Sequence, residues 1–253
     1  LLIKKFVHEY TILTSHCYVC LNKYARKIII EKTLRKKLIP IIPHSTESLY
    51  NFSNGIDLEK DYCNNFDKYE LNIFYPSHLS PYKNQHIVIE EFDDFIASIQ
   101  KNKRKLIGLH FAGGKSYPYF LKVQKSLELS KFKENIHIYE NLPQKNLFAN
   151  MKKANLLIFA SSCENHPNLL IEMIQYNSNI ICHDKPIYKS QFGNSFKYFD
   201  IYKKKSLSNL LKIKYLEIKN KNFKRTKKNN FKKITFSENL KNYEKSFYKV
   251  GKK

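Results

Sequence analysis

Two glutamates, Glu164 and Glu172, bracket the stretch of the sequence that is richest in chemistry. Glu164 precedes Pro167, and a proline disfavours helix just before it, so Glu164 is predicted in a loop and Glu172 about one turn inside the following helix. The free N–H groups at a helix start can hold a diphosphate, and carboxylates accept hydrogen bonds from hydroxyls. This pattern suits a nucleotide-sugar, with one carboxylate for the sugar hydroxyls and one for the ribose. The alternative is a capping acid followed by a solvated helix glutamate.

The elements that position these residues alternate between strand and helix from about residue 71 to residue 202. Predicted strands cover 71–76, 105–112, 135–139, 155–160 and 179–182, with a candidate sixth at 196–199. Predicted helices cover 86–99, 119–132, 143–154 and 168–176. This alternation implies right-handed crossovers and an α/β, Rossmann-like parallel sheet with helices on both faces.

Ligands of such sheets bind beyond the carboxyl ends of the strands. The predicted site therefore lies in the loops at 77–85, 113–116, 139–143, 161–168 and 183–186.

The segments on either side of this region are less regular. A basic helix is predicted over 24–37, a turn at Asn54-Gly55, and a lysine-rich helix followed by a basic run over 206–233. Ser237 is predicted to cap a last helix.

The chain is strongly basic, with 45 lysines and arginines against 22 acidic residues and a formal charge of +23. Such an excess suggests a polyanionic partner, either nucleic acid or an anionic membrane face. Arginine, the usual base-reading residue, is scarce, which argues against nucleic acid. A solvated lysine coat is an equal alternative. No apolar run is long enough to span a bilayer.

Three other patterns give weaker indications of function. Cys17 and Cys20 have metal-ligand spacing but lack a second pair, so no zinc site is predicted, and the five scattered cysteines indicate reduced cytosolic thiols. Gly113-Gly114-Lys115-Ser116 lacks the first glycine of a P-loop and is predicted to be a turn facing the cleft. Four histidines suggest metal or acid–base roles, although histidines without a role are more common: His110, His137, His166 and His183.

Several of these stretches together resemble a known family. Glu164-Asn-His-Pro-Asn168-Leu-Leu-Ile-Glu172 resembles the Glu-x7-Glu motif of retaining family-4 glycosyltransferases of GT-B architecture, in the subgroup reading E-N-x-P-N-x-L-x-E. Residues 74–85 resemble the first loop of that family's donor domain, in which a lysine precedes the first helix. Asn54-Gly55-Ile-Asp57 resembles the junction between its two domains, and residues 136–143 resemble the stretch whose backbone meets the base.

The resemblance implies roles for individual residues. Lys83 contacts the donor diphosphate, Glu164 the transferred sugar, and Glu172 the ribose. Backbone N–H groups near Asn168 hold the β-phosphate. A fixed ammonium stabilises the leaving diphosphate without a metal, so no metal and no other cofactor is expected. Many family members carry an arginine where Ser77 stands, so one cationic contact differs here. Glu164 and Lys83 are predicted to be catalytic, and the predicted donor-binding residues are Glu172, Asn168, Pro167, His166, Asn84, Gly113, Tyr139 and Asn141.

The resemblance also divides the chain. It implies a remnant of the acceptor domain with the interdomain linker at 1–55, the nucleotide-sugar-binding domain at 56–215, and a basic linker with a crossover helix at 216–253. The residues before the junction are too few for a second full domain, so we expect either a truncated reading or a naturally short form.

The implied reaction moves a hexose, with retention, from a UDP- or GDP-sugar to a glycan or lipid-linked acceptor. Bacterial surface polysaccharide or lipopolysaccharide biosynthesis is the implied setting, in the cytoplasm or peripherally on the inner face of the plasma membrane. Two alternatives stay open: a non-catalytic nucleotide-sugar-binding fragment, and a nucleic-acid-binding protein, which charge alone favours.

Overall fold

Six parallel strands form one sheet at the centre of the fold. In a computed structural model of the protein, residues 2–33, 38–47, 62–177, 179–220 and 234–251 are described. The strands are β1 Leu71–Pro76, β2 Ile107–Ala112, β3 Ile136–Tyr139, β4 Leu156–Phe159, β5 Ile180–His183 and β6 Lys197–Phe199. Their order is β3-β2-β1-β4-β5-β6. The order reverses between β1 and β4, which places a crevice for ligands beyond the carboxyl ends of these two strands.

Helices cover both faces of the sheet and flank it, so the predicted Rossmann-like α/β fold is confirmed. The helices are α1 Leu2–Thr14, α2 Lys23–Lys32, α3 Gln85–Ala97, α4 Lys101–Arg104, α5 Tyr119–Leu129, α6 Gln144–Lys153, α7 Asn168–Tyr176, α8 Pro186–Phe192, α9 Ser206–Lys219 and α10 Phe236–Gly251. One face packs against α3, α5 and α9, and the other packs against α6, α7 and α8.

Strand geometry explains this two-sided core. Successive side chains of a strand point to opposite faces. Ile73 and Tyr75 of β1 therefore join one apolar cluster while Phe74 joins the other. All six residues of β1 are buried, as are all four of β4, so both central strands are covered on both faces.

Some element boundaries differ from those predicted. α2 ends at Lys32 and not at residue 37, because Thr33 is already extended. β2 starts at Ile107 because residues 101–104 form the short helix α4. Helices α1 and α8 were not predicted.

The cap of the last helix also differs. Thr235 and not Ser237 holds the start of α10, since its Oγ1 accepts the Glu238 N–H at 3.1 Å while the Glu238 carboxylate accepts the Thr235 N–H at 3.0 Å. This reciprocal pair is a capping box.

The N- and C-terminal flanks pack together. Short parallel bridges join Cys17 to Leu38 and Cys20 to Ile41. The segment 38–47 meets the start of α10, because the Thr46 N–H bonds the Ile234 carbonyl at 2.9 Å. The division of the chain at residues 55 and 215 stays a prediction, and Asn54–Asp57 and the basic run 221–233 lie outside the described residues. In the part of the chain that is described, no helix combines the length and apolarity needed to cross a bilayer.

Candidate functional site

The side chains of Lys83 and Glu164 form an ion pair at the carboxyl edge of the sheet. They come from the loops after β1 and β4, on the two sides of the crevice. Lys83 is only 8% exposed, so its ammonium has little contact with water. Ser161 Oγ donates to the same Glu164 oxygen at 2.7 Å. A charged group that is removed from water needs a partner of opposite charge. The structure brings together the two residues predicted to be catalytic, and each is the charge partner of the other.

The position of Lys83 follows from the residues around it. Lys83 ends a 3-10 turn over 81–83, and Asn84 then takes a left-handed φ of 59° before α3 begins. Asn84 Nδ2 donates to the Ala160 carbonyl at 2.8 Å and to the Tyr82 carbonyl at 3.1 Å. Asparagine tolerates this conformation and bonds to nearby backbone. Asn84, predicted to bind the donor, thus ties the β1 loop to the end of β4.

Two buried tyrosines donate hydrogen bonds to the loops that follow β1 and β4. The Tyr75 hydroxyl donates to the Lys83 carbonyl at 2.9 Å, and the Tyr188 hydroxyl donates to the Ser161 carbonyl at 2.8 Å. Burial raises the pKa of both tyrosines, so both remain protonated donors. A direct bond also joins the two loops, because the Ser162 N–H donates to the Tyr82 carbonyl at 2.7 Å.

The loop that carries Glu164 ends in a polar turn at the start of α7. The Asn168 N–H donates to the His166 carbonyl at 2.9 Å, and His166 Nδ1 lies 2.7 Å from Asn168 Oδ1. The N–H groups of Leu170 and Ile171 bond the Pro167 carbonyl. Burial is the main cause that lowers the pKa of His166. The predicted residues His166, Pro167 and Asn168 therefore do lie together, but the Asn168 N–H is occupied within the loop.

Glu172 lies one turn into α7 and is partly buried. None of the described side chains pairs with its carboxylate, and burial raises its pKa. A carboxylate in this state has free acceptor capacity for ligand hydroxyls.

Gly113 allows the loops after β1 and β2 to run side by side. A Cβ on Gly113 would lie 2.3 Å from the Ser77 carbonyl oxygen, which no side chain can do without moving backbone. The Gly113 N–H bonds the Tyr139 carbonyl at 3.0 Å, and the Ser77 N–H bonds the Ala112 carbonyl at 2.7 Å. Ser77 stands where many members of the resembled family carry an arginine. In this structure its backbone extends the pairing of β1 with β2.

The remaining predicted residues lie beyond β3. The Tyr139 hydroxyl lies 3.1 Å from His110 Nδ1, so its side chain contacts the sheet, while its carbonyl accepts the Gly113 N–H. Asn141 is exposed and has a φ of 52°. Lys115 forms an ion pair with Glu140. Its side chain is thus engaged elsewhere, in agreement with a glycine turn and not a P-loop at 113–116.

Each of the four histidines that suggested metal or acid–base chemistry makes a polar contact with another group of the protein. His110 Nε2 lies 2.9 Å from Asn72 Oδ1, and its ring stacks on Phe66 with centroids 4.3 Å apart. Burial lowers the pKa of His110 to about 3, so it stays neutral. His137 bonds the Tyr69 hydroxyl, and His183 is buried at the end of β5. Within the described ranges, no three metal-ligating side chains converge, and the five cysteines are free thiols.

Sequence reasoning missed the residues that hold the loops in place. Tyr75 lies within a predicted strand, and a tyrosine that becomes buried has a hydroxyl that needs a partner. Tyr188 carried no sequence signal. Asn22 and His44, which contact the loop 161–168, are more than a hundred residues distant from it and are close only in the folded chain.

Solved structures with the same fold include three at low sequence identity. The chain is 11% identical to sucrose-phosphate synthase from Thermosynechococcus elongatus, with a TM-score of 0.78 over 99% of this chain and 62% of that one. It is 11% identical to Anabaena HepE, solved with UDP and glucose, with a TM-score of 0.66 over 93% of this chain and 64% of that one. TarM gives 16% identity and a TM-score of 0.66 over 96% of this chain and 45% of that one.

The chain thus spans less than two thirds of the length of these three structures. No curated protein matches the sequence. The family of glycosyl transferases group 1 matches residues 60–234, which include the sheet, the ion pair of Lys83 with Glu164, and Glu172. This match covers most of the chain and agrees with the GT-B structures that share its fold. The chain belongs to the glycosyl transferases of group 1.

Proposed function

We propose that this chain binds a nucleoside-diphosphate-sugar and takes part in retaining transfer of its hexose, as in family-4 glycosyltransferases. The observation that carries the proposal is the contact between Lys83 and Glu164 beside the start of α7. UDP and glucose in the Anabaena HepE structure support a UDP-sugar as donor, with a GDP-sugar as the alternative.

Lys83 can bind the diphosphate and keep its hydrogen bond to Glu164. A lysine ammonium has three donors, so one can stay on the carboxylate while others meet phosphate oxygens. Glu164 also keeps its bond from Ser161, which leaves its second oxygen for a sugar hydroxyl. As the bond between the anomeric carbon and the diphosphate breaks, negative charge develops on the leaving group, and the fixed ammonium stabilises it. We therefore expect no metal requirement, and EDTA should leave activity unchanged.

Glu172 is proposed to accept hydrogen bonds from the ribose. It is partly buried, has no partner among the described residues, and lies on the helix that follows the Glu164 loop. The backbone near Gly113 and Asn141 is proposed to meet the base, because these loops flank the crevice on its other side.

The proposed acceptor is a glycan or a lipid-linked sugar of a surface polysaccharide, at a cytoplasmic anionic membrane surface. The net charge of +23 supports this setting. So does α10, where Phe247 and Tyr248 are 72% and 75% exposed between the exposed lysines Lys245 and Lys249. Exposed aromatic rings among lysines favour the interface of an anionic bilayer.

Calorimetric titration with UDP, GDP and ADP tests the proposed donor site. We expect one nucleotide to bind selectively, and Lys83→Ala and Glu172→Ala each to weaken it by roughly ten- to a hundredfold, the range for lost hydrogen bonds to charged groups. Lys212→Ala removes an exposed lysine from α9 and is the matched control, expected to bind like the unaltered protein. Failure of a folded sample to bind any nucleotide would contradict the proposal.

A non-catalytic nucleotide-sugar-binding protein is the second candidate. It would hold the donor with the same residues, the pair of Lys83 with Glu164 and the carboxylate of Glu172. Release of free UDP or GDP from the sugar donor, with or without acceptor, separates the candidates, because a binding protein would retain the donor intact.

A further inference from the structure

We propose that Asn22 is a positioning residue for the donor loop at 161–168. This inference rests on the proposed function, in which that loop holds the sugar and diphosphate. Asn22 is 5% exposed and occupies the N-cap of α2. Its Oδ1 accepts the Ala25 N–H at 2.7 Å, and its Nδ2 donates to the Asn165 carbonyl at 2.5 Å.

The bond to Asn165 fixes the orientation of one peptide in the donor loop. A trans peptide is planar, so the Asn165 carbonyl and the His166 N–H point in opposite directions. Asn22 holds the carbonyl, and it thereby directs the His166 N–H away from α2. The residue before this peptide is Glu164, which pairs with Lys83, and the His166 carbonyl after it accepts the Asn168 N–H. One side chain thus orients the stretch between the acid and the start of α7.

The same N-terminal flank touches the loop a second time. The His44 ring lies edge-on to the His166 ring, with centroids 5.3 Å apart. Helix α2 also packs against α8, whose Tyr188 holds the Ser161 carbonyl. Asn22 and His44 lie outside residues 60–234, the part that the family match covers. The flank therefore adds constraints on the loop that the matched domain does not contain.

An ordinary capping asparagine would need only its side-chain oxygen. Here the amide nitrogen is buried as well and directed at the loop. Asn22→Ser separates the two roles, because serine caps helices about as well as asparagine but lacks the amide that reaches Asn165. Asn22→Asp is the second variant, which keeps the cap and sets a carboxylate against the carbonyl.

The experiment compares these variants with Lys27→Gly in calorimetry and thermal unfolding. Lys27 is an exposed residue in the middle of α2, so the glycine destabilises the helix without touching the loop. The probes are the nucleoside diphosphate that the unaltered protein binds and the matching monophosphate. We expect Asn22→Ser to weaken the diphosphate about tenfold, with less than a twofold change for the monophosphate and a melting temperature near that of the unaltered protein. Asn22→Asp should weaken the diphosphate further, and Lys27→Gly should lower only the melting temperature.

The inference is overturned if Asn22→Ser binds the diphosphate like the unaltered protein. It is also overturned if Asn22→Ser weakens both nucleotides equally while unfolding at a lower temperature, since that is a purely structural role. If the unaltered protein binds neither nucleotide, the proposed function has failed, and this is visible before any variant is measured.

Discussion

The Lys83 ammonium and the Glu164 carboxylate are largely shielded from water, and each is the charge partner of the other. Removing one partner of a buried pair leaves an uncompensated charge, so Lys83→Met should lower the free energy of unfolding by about 3 kcal/mol. The double variant Lys83→Met/Glu164→Gln should recover most of that loss, because the remaining amide is neutral and Ser161 can still donate to it.

Urea unfolding of the two single variants and the double variant gives the coupling free energy directly. Neither Lys83 variant should bind the nucleoside diphosphate tightly. A double variant that is as unstable as Lys83→Met would mean that the ion pair does not explain the burial of these two side chains.

Glu172 should show a conflict between stability and binding. Burial raises the pKa of Glu172 above its usual 4.5, so the protonated form favours folding, and that advantage is lost as the pH rises through the folded-state value. At neutral pH the ionised carboxylate is a penalty that Glu172→Gln removes. We expect Glu172→Gln to unfold at a higher temperature than the unaltered protein at neutral pH, with no difference near about pH 4.

The same substitution should weaken the nucleotide by roughly tenfold or more, because a charged acceptor is lost. Glu128→Gln removes the same charge from an exposed position on α5 and serves as the control for both measurements. Equal melting temperatures for Glu172→Gln and the unaltered protein at every pH would contradict the pKa argument.

The sequence made Lys83, Glu164 and Glu172 predictable, since their spacing and their places relative to predicted strands already pointed to one cleft. It did not reveal Asn22, whose partner Asn165 is 143 residues away. Spacing along the chain reports local structure only, whereas such a contact depends on how α2 packs against α8.

Among the elements, the loops that follow β1 and β2 approach each other closely at Gly113. Gly113→Ala would put a methyl group 2.3 Å from the Ser77 carbonyl oxygen. Backbone must then shift, at about 2–3 kcal/mol, and the β1 loop with Lys83 moves with it. We expect Gly113→Ala to lower the free energy of unfolding by that amount and also to weaken nucleotide binding.

Gly193→Ala is the matched control for this prediction. Gly193 has a φ of 55° and a ψ of −129°, with open space around its Cβ position, so alanine there costs only the strained backbone, about 1–3 kcal/mol. Nucleotide affinity should be unchanged in Gly193→Ala. If both glycine variants bind the nucleotide like the unaltered protein, the loop after β2 does not help to form the donor site.

Hydrophobic patterns in the sequence predicted most helices and strands correctly, but not all of them. β1 and α7 have the bounds that their apolar run and their proline predicted. Helix α8 spans only Pro186–Phe192 and follows a strand directly, so too few turns were present to show a period. Helix α1 was missed although Ile3, Phe6 and Tyr10 recur at helical spacing, and these side chains are exposed in the fold.

The net positive charge of the whole protein allows a direct test of the proposed binding to an anionic membrane surface. We expect it to co-sediment with vesicles that contain phosphatidylglycerol and not with neutral phosphatidylcholine vesicles, and to be released by salt. Phe247→Ser/Tyr248→Ser should reduce binding several-fold, because two exposed rings are removed from α10. Tyr202→Ser, which removes an exposed ring after β6, is the control. Binding that is independent of anionic lipid content would refute this setting.

The packing of the histidines has a consequence for the protein in acid. Burial lowers the pKa of five of them below the usual 6.5. The pKa falls to about 4 for His86 and about 3 for His110, and the pKa values of His137, His166 and His183 are lowered as well. Below pH 6.5 the folded state therefore holds fewer protons on these rings than the unfolded chain does. Their contribution to stability is therefore complete above that pH and declines as the pH falls toward the folded-state values. Because unfolding in mild acid takes up protons, acidification lowers the free energy of unfolding of this protein.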